Sequence, residues 1–218
     1  MALVLASGET LASVSSYSPP QTVGTVCFWA RPNGTPAGIR RILGINDGWE
    51  CRTDGTGVFH DFWKSGSHTD GTTYTSGVWA HYAFTGRTSD GLGNTYKDGQ
   101  LVNTGSGHTT SAGSGTLTIG TRTGTTQYWA GDLDDLRIYN RVLEDAEIEG
   151  IHAARGADRV VDGLVLWLLF REAAPGTAVS GAGSVRDMQG NMDFSPGPSA
   201  PDYEGSTLNY RRRMRYAR

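Results

Sequence analysis

Carboxylates crowd residues 128–151, YWAGDLDDLRIYNRVLEDAEIEGI. Side chains of this type, suitably paired, serve as proton donor and nucleophile in glycoside hydrolysis. Their positions here argue for structure instead. Leu133 falls on one parity of a strand, and Leu136 and Ile138 fall on the other. The alternation slips at Asp134–Asp135, as it does at a β-bulge that inserts one residue and re-aims the side chains. Glu144, Asp145 and Glu147 then fall in the first turn of a short helix, where the positive end of the helix dipole favours acids. Leu143, Ile148 and Ile151 give that helix its apolar positions, and Gly156 is its expected stop.

A second chemistry is stacking. Residues 47–71, DGWECRTDGTGVFHDFWKSGSHTDG, combine Trp49, Phe59, Phe62 and Trp63 with polar turns. Aromatic faces stack on sugar rings while nearby polar groups fix the hydroxyls. Phe59 and Phe62 read as core. Trp49 and Trp63 stay open between core and a glycan-binding surface, and Tyr128 and Trp129 are candidates for the same rim.

The third chemistry is charge. Residues 210–218, YRRRMRYAR, hold Arg211, Arg212, Arg213, Arg215 and Arg218. The whole chain carries −3 at neutral pH, and without these five arginines residues 1–210 carry −8. An acidic body with a basic tail is a polarised molecule. The tail is a solvated extension, a docking element that forms bidentate pairs with a partner's carboxylates, or a nucleic-acid contact helped by Tyr210 and Tyr216. The body is not basic, which weighs against nucleic acid.

Catalysis finds little support. His60, His68, His81, His108 and His152 are scattered. There is no G-x-S-x-G elbow, phosphate-binding loop, H-E-x-x-H or C-x-x-C. The chain reads as a non-enzyme.

The elements that must position these groups are mostly strands. The 31 glycines punctuate many short apolar runs around one convincing helix, the mark of a sandwich or barrel. At 218 residues the chain can bury one core. Val26, Phe28 and Ala30 alternate with Cys27 and Trp29, so that strand is apolar on both faces and expected to be covered on both. Residues 79–85 are similar, with Tyr82 and Phe84 opposite Ala83. Asp98-Gly99 between Tyr96 and Leu101 signals a type I′ hairpin. Residues 103–115 read as a Gly/Ser/Thr-rich loop. Residues 163–170, GLVLWLLF, read as a buried strand followed by 185–194. Residues 195–206 read as an extended Pro/Gly/Ser-rich arm.

Five stretches in order resemble the laminin-G-like, concanavalin A-like superfamily. These are TVCFWARP (25–32), VWAHYAFT (78–85), NTYKDGQLV (94–102), LTIG (117–120) and GDLDDLRIYNRVLEDAEI (131–148). The resemblance covers roughly residues 1–170 and implies an all-β fold, a two-sheet antiparallel β-sandwich or jelly roll with one short helix. Residues 163–194 look like a unit that commonly precedes the sandwich strands, so the order is permuted, which is easy if the chain ends lie close together. The implied organisation is a sandwich over 1–194 and an arm with its arginine tail over 195–218. Glycosidases of this fold carry an E-x-D-x-x-E strand motif, which is missing here, so glycoside hydrolysis is a remote alternative. Some relatives hold calcium through loop carboxylates, which makes Asp132 and Asp134 the candidate ligands; the alternative is hydrogen bonding to backbone around the bulge. No other cofactor is expected.

Residues 1–10 have no secretory pattern and no run reaches membrane-spanning length. Cys27 and Cys51 are therefore expected as buried thiols in preference to a disulfide, and Asn33-Gly34-Thr35 as a turn and not a glycosylation site. A sandwich of this look without a signal resembles the decoration or fibre components of bacteriophage particles, made in the host cytoplasm and displayed on the virion surface. The expected role is that of a structural protein docked on a capsid, as a homo-oligomer that can also contact host glycans. The alternative is a carbohydrate-binding module.

Overall fold

Strand Val23–Pro32 sets the pattern for the whole molecule. In a computed structural model, Val26, Phe28 and Ala30 enter the main core, while Cys27 enters a second, smaller core on the opposite face. The structure describes all residues except 1, 14, 36–37, 46–48, 64–70, 110–113, 123–125, 156, 173 and 205–218, and gives the backbone alone for 60–63 and 204. In chain order the elements are β1 (Ala2–Leu5), β2 (Leu11–Ser13), β3 (Val23–Pro32), β4 (Arg40–Ile45), β5 (Trp49–Thr53), β6 (Val58–Trp63), β7 (Thr72–Thr73) and β8 (Ala80–Arg87). They continue with β9 (Leu92–Lys97), β10 (Gln100–Ser106), β11 (Thr118–Ile119), β12 (Gly131–Tyr139), α1 (Asp145–Ala154), β13 (Leu164–Leu168), β14 (Phe194–Pro196) and β15 (Asp202–Glu204).

Two antiparallel sheets face each other across the main core. One has the order β10-β9-β8-β3-β12-β1-β15, with β13 also pairing β12; the other runs β14-β2-β11-β4-β5-β6-β7. Strand β12 is the hub of the first sheet. One edge pairs with β3, and the other is shared by β1, against Gly131–Leu133, and β13, against Leu136–Tyr139.

The slip in the β12 alternation is the expected bulge. Asp134 lies opposite Trp29 and Arg137 opposite Cys27, so Asp135 and Leu136 together face Phe28. Asp135 takes the left-handed conformation, with φ 51°. The extra residue turns Leu133, Leu136 and Ile138 all into the main core despite their mixed parity, and leaves Asp135 and Arg137 for the outer face.

Helix α1 covers that outer face. Leu143, Ile148 and Ile151 pack against Cys27, Ala83, Tyr96 and Tyr139, each contributing roughly 1.5–3 kcal/mol of burial. Glu147 fixes the helix start: its Oε2 accepts the Glu144 N–H at 2.9 Å, and its two oxygens accept from Arg141 at 2.7 Å each. The Tyr96 hydroxyl donates to Asp145 at 2.7 Å, tying the helix to the β9–β10 hairpin. Asp98 and Gly99 turn that hairpin with φ 51° and 81°, as a type I′ turn requires. The helix stop differs from expectation: Arg155 takes the left-handed cap position with φ 48°, and Gly156 lies outside the described residues.

The ends of the chain also correct the sequence. Residues 195–204 are not a separate arm. Phe194–Pro196 pairs with β2 and Asp202–Glu204 pairs with β1, each extending one sheet. Buried Phe194 and Tyr203 anchor these short strands, and Pro196 is tolerated because an edge strand need not donate on both sides. The sandwich therefore runs beyond residue 194 to at least residue 204. In residues 187–191, DMQGN, the Asp187 carboxylate accepts the N–H groups of Trp167, Gln189 and Asn191 at 2.9–3.1 Å. Residues 103–106, expected in a loop, complete β10. Cys27 and Cys51 are buried thiols in different cores and form no disulfide. No helix among the described residues is long and apolar enough to cross a membrane.

Candidate functional site

The end of β3 and the start of β12 meet three turns at one rim of the sandwich. The Asn33 N–H donates to the Ala130 carbonyl at 3.0 Å, the Gly77 N–H to the Pro32 carbonyl at 2.8 Å, and the Gly34 N–H to the Ser76 hydroxyl at 2.8 Å. Gly131 makes this closure possible. Its φ is +145°, and a Cβ there would sit 2.5 Å from the Arg31 carbonyl oxygen.

Two hollows adjoin at Pro32 and Asn33. The first, about 330 Å3, is lined by Ser7, Thr35, Arg40, Tyr74 and Trp129 in addition to that shared edge. The second, about 370 Å3, runs along Val4–Ala6 to Arg31 and Asp132. Each is within the size range of sites for small ligands.

The first hollow mixes aromatic surface with hydrogen-bond donors. Tyr74 is half-buried; its ring lies 5.3 Å from that of Phe59, and its hydroxyl donates to the Gly34 carbonyl at a long 3.4 Å. Burial raises the Tyr74 pKa, with Asp54 adding to the shift and Arg40 opposing it. Arg40 donates one hydrogen bond, at 3.2 Å, to the carbonyl of Ile39. Trp129 packs on Phe59 at 5.6 Å, and its indole N–H has no acceptor among the described residues. In the second hollow Arg31 pairs with Asp132 and lies over the ring of Trp79 at 5.6 Å.

The structure separates the aromatic candidates. Trp49 is 1% exposed in the main core, beside Tyr17. With no free face it is not a stacking platform, because its strand parity aims it between the sheets. Phe59 is core, as expected. Trp63 is the cross-strand partner of Trp49; its side chain and that of Phe62 lie outside the described residues. Tyr128 is half-buried and bridges to Arg41, away from the lining of both hollows. Of the candidates whose side chains are described, Trp129 lines a hollow, though it is 1% exposed. Tyr74, Arg40, Asn33 and Thr35 escaped the sequence analysis. The one signal for them was the N-G-T turn at 33–35, which marked the loop without its neighbours.

The carboxylates also resolve. Asp132 pairs with Arg31. Asp134 is fully buried; its Oδ1 accepts the Asp135 N–H at 2.9 Å and lies 3.7 Å from the Arg171 guanidinium. This is the backbone role at the bulge that was the alternative to calcium. No group of three or more His, Cys, Asp or Glu side chains among the described residues could hold a metal ion. With Asp132 paired to Arg31 and Asp134 bonded at the bulge, excess chelator is expected to leave the melting temperature unchanged in a thermal scan, whereas a calcium-loaded site would lose its ligand stabilisation. The arginines 211, 212, 213, 215 and 218 lie outside the described residues, as do His68 and the side chain of His60. His81 and His108 are buried.

Comparison with known proteins gives this architecture its class. Residues 7–149 match the family model described as the concanavalin A-like lectin/glucanases superfamily, and the chain belongs to that superfamily. No curated protein matches it in sequence. Among solved structures, it is similar to a candidate carbohydrate-binding protein from Bacteroides ovatus (TM-score 0.72, 13% identity), with 93% of this chain covered and 59% of that one. It thus spans little more than half the length of that protein. A heptameric SAP-like pentraxin from Limulus polyphemus is similar with TM-score 0.57 and 19% identity, over 75% of this chain and 90% of that one. The binding domain of botulinum neurotoxin DC, solved in complex with SialylT, has TM-score 0.50 and 14% identity, over 68% of this chain and 43% of that one. Likeness at these identities shows a shared fold.

Proposed function

We propose that this protein is a non-catalytic carbohydrate-binding module that holds glycans at the rim hollows. The observation that carries the reading is the lining of the first hollow, where Tyr74 and Trp129 adjoin Arg40, Asn33, Thr35 and Ser7. An aromatic wall with a few convergent polar groups is the composition that sugar rings and hydroxyls need. The carbohydrate-binding description of the Bacteroides protein supports it. Asp132 is the one carboxylate in the described lining of the two hollows, and Arg31 neutralises it. Glycoside hydrolysis ordinarily needs two carboxyl groups flanking one bond.

Tyr74→Ala is the direct test. Retention on a glycan array is expected to fall about tenfold, as loss of roughly 1–1.5 kcal/mol of ring contact implies, while circular dichroism shows the sandwich still folded. Undiminished retention would remove the hollow from consideration. Docking on a virus particle is the other reading of the sequence. It rests on the arginine tail, and neither the rim geometry nor the described relatives add to it.

A further inference from the structure

We infer, building on that glycan-binding role, that the ligand of the first hollow is an acidic sugar, a uronic or sialic acid residue whose carboxylate is held by Arg40. The surroundings of Arg40 differ from those of the arginines paired within the fold. Arg31, Arg41, Arg52, Arg137, Arg141 and Arg171 each lie within ion-pair distance of a carboxylate. Arg40 is half-buried at the start of β4, lines the hollow and, among the described residues, donates to one group, the carbonyl of its own neighbour, Ile39. A guanidinium presents five N–H groups in a planar fork that matches a carboxylate in bidentate fashion. Placed in a concave site with one long backbone contact, it has most of that capacity left for a ligand.

The rest of the hollow points the same way. Its described lining contains no carboxylate. Asp132 in the adjoining hollow is paired with Arg31. Asp54, the acid that acts on Tyr74, already accepts from the Thr56 N–H and hydroxyl and from the Val58 N–H. Ser7, Asn33 and Thr35 add groups that both donate and accept, and among the described residues the Tyr74 hydroxyl makes one contact, at 3.4 Å to the Gly34 carbonyl. A cation in a lining without a carboxylate favours an anion, and the Tyr74 ring gives a sugar a flat surface to lie on. The chain as a whole is acidic. Salt screens that repulsion beyond about 8 Å under physiological conditions, so discrimination falls to the contact with Arg40.

Matched ligand pairs test this by calorimetry: oligogalacturonate against its methyl ester, and sialyllactose against lactose. The acidic member of at least one pair is expected to bind the full chain about tenfold or more tightly, as a charge-assisted bidentate contact supplies. Arg40→Gln is expected to bring the acid down to the level of its neutral partner, and Arg40→Lys to keep part of the preference. Unchanged melting temperatures would show that both variants are folded. Equal binding of acid and neutral forms in both pairs, or a preference that survives Arg40→Gln, overturns the inference; if neutral sugars still bind in a Tyr74-dependent way, the glycan-binding role stands without it. Binding of none of the four ligands, with none retained on a wider array, sinks both. Inorganic sulfate competing as well as galacturonate would also overturn it, by reducing the site to a general anion contact.

Discussion

Arg137→Met is expected to cost about 3–5 kcal/mol of unfolding free energy at neutral pH, the usual penalty for removing one partner of a buried ion pair. Arg137 is 1% exposed on the outer face of β12. Its Nε and one terminal nitrogen donate to Asp135 at 2.9 and 3.0 Å, and its terminal nitrogens donate to Asp158 at 2.7 and 2.8 Å. The indole of Trp167 lies beneath the guanidinium at 4.5 Å and donates to Asp135 at 2.6 Å. Burial opposes the arginine's charge, but Asp135 and the bonds to Asp158 outweigh it and hold the pKa well above its ordinary value. Burial likewise opposes the Asp158 charge, and Arg137 reverses that, leaving its pKa lowered.

Methionine fills similar space and leaves two buried carboxylates without their cation. Arg137 is what lowers the Asp158 pKa against burial, so without it that pKa rises; the deficit is fully present at pH 7 and shrinks as pH falls and Asp158 protonates. Urea unfolding of wild type and variant at pH 7 and pH 5 reads both effects. A loss below about 1 kcal/mol at pH 7 would show that the network contributes little more than a surface pair. The network also explains why the bulge stays in place. It joins Asp135 in the bulge to Asp158 after the helix and to Trp167 on β13, so slipping the register by one residue would break the contacts to Asp158 and Trp167.

The bulge was legible because a strand that must bury Leu133, Leu136 and Ile138 together cannot do so at period two. The hairpin at Asp98-Gly99 and the acidic helix start were legible for similar local reasons. Strands β14 and β15 were not. Each is three residues long, set among Pro, Gly and Ser, and gains its stability from pairing with β1 or β2 at the far end of the chain. The aromatic run around β5 and β6 misled in another way. Apolar and polar residues mix on both parities there, so nothing local says that Trp49 faces the core. The rim was hidden for two reasons. Its residues come from turns far apart in sequence, and its key distinction lies between adjacent residues of one type. Arg40 lines the hollow, whereas Arg41 is buried against Glu50. Identity and spacing cannot separate two neighbouring arginines; only the register of β4 against β5 does.

Acidification from pH 7 to pH 5 is expected to remove about 2 kcal/mol of stability through one residue, His81. It sits on the outer face of β8, 1% exposed, with the rings of Trp29 at 5.5 Å and His152 at 5.9 Å. Neither of its ring nitrogens has a hydrogen-bond partner among the described residues. Burial pushes its pKa down to about 3, with His152 and Arg137 acting in the same direction and Asp158 against them. His152, stacked on Trp29, is also lowered, first by burial and then by Arg155, while Asp98 and Glu149 oppose. The sign follows from the unfolded chain, where a histidine takes its proton near pH 6.5. The native state refuses that proton until about pH 3. Stability is therefore complete above pH 7 and falls as pH drops through 6.5 towards 3, by up to about 1.4 kcal/mol per pH unit. The lowered carboxylates Asp158 and Glu147 lose their contribution only nearer pH 4, below this window. His81→Phe keeps a ring of similar size among Trp29 and His152 and cannot titrate. Denaturant unfolding at pH 7, 6 and 5 is expected to show the wild type losing about 2 kcal/mol more than this variant across the range. Parallel profiles for the two proteins would mean that His81 accepts its proton in the folded state, and that the face of β8 beneath α1 is open to water.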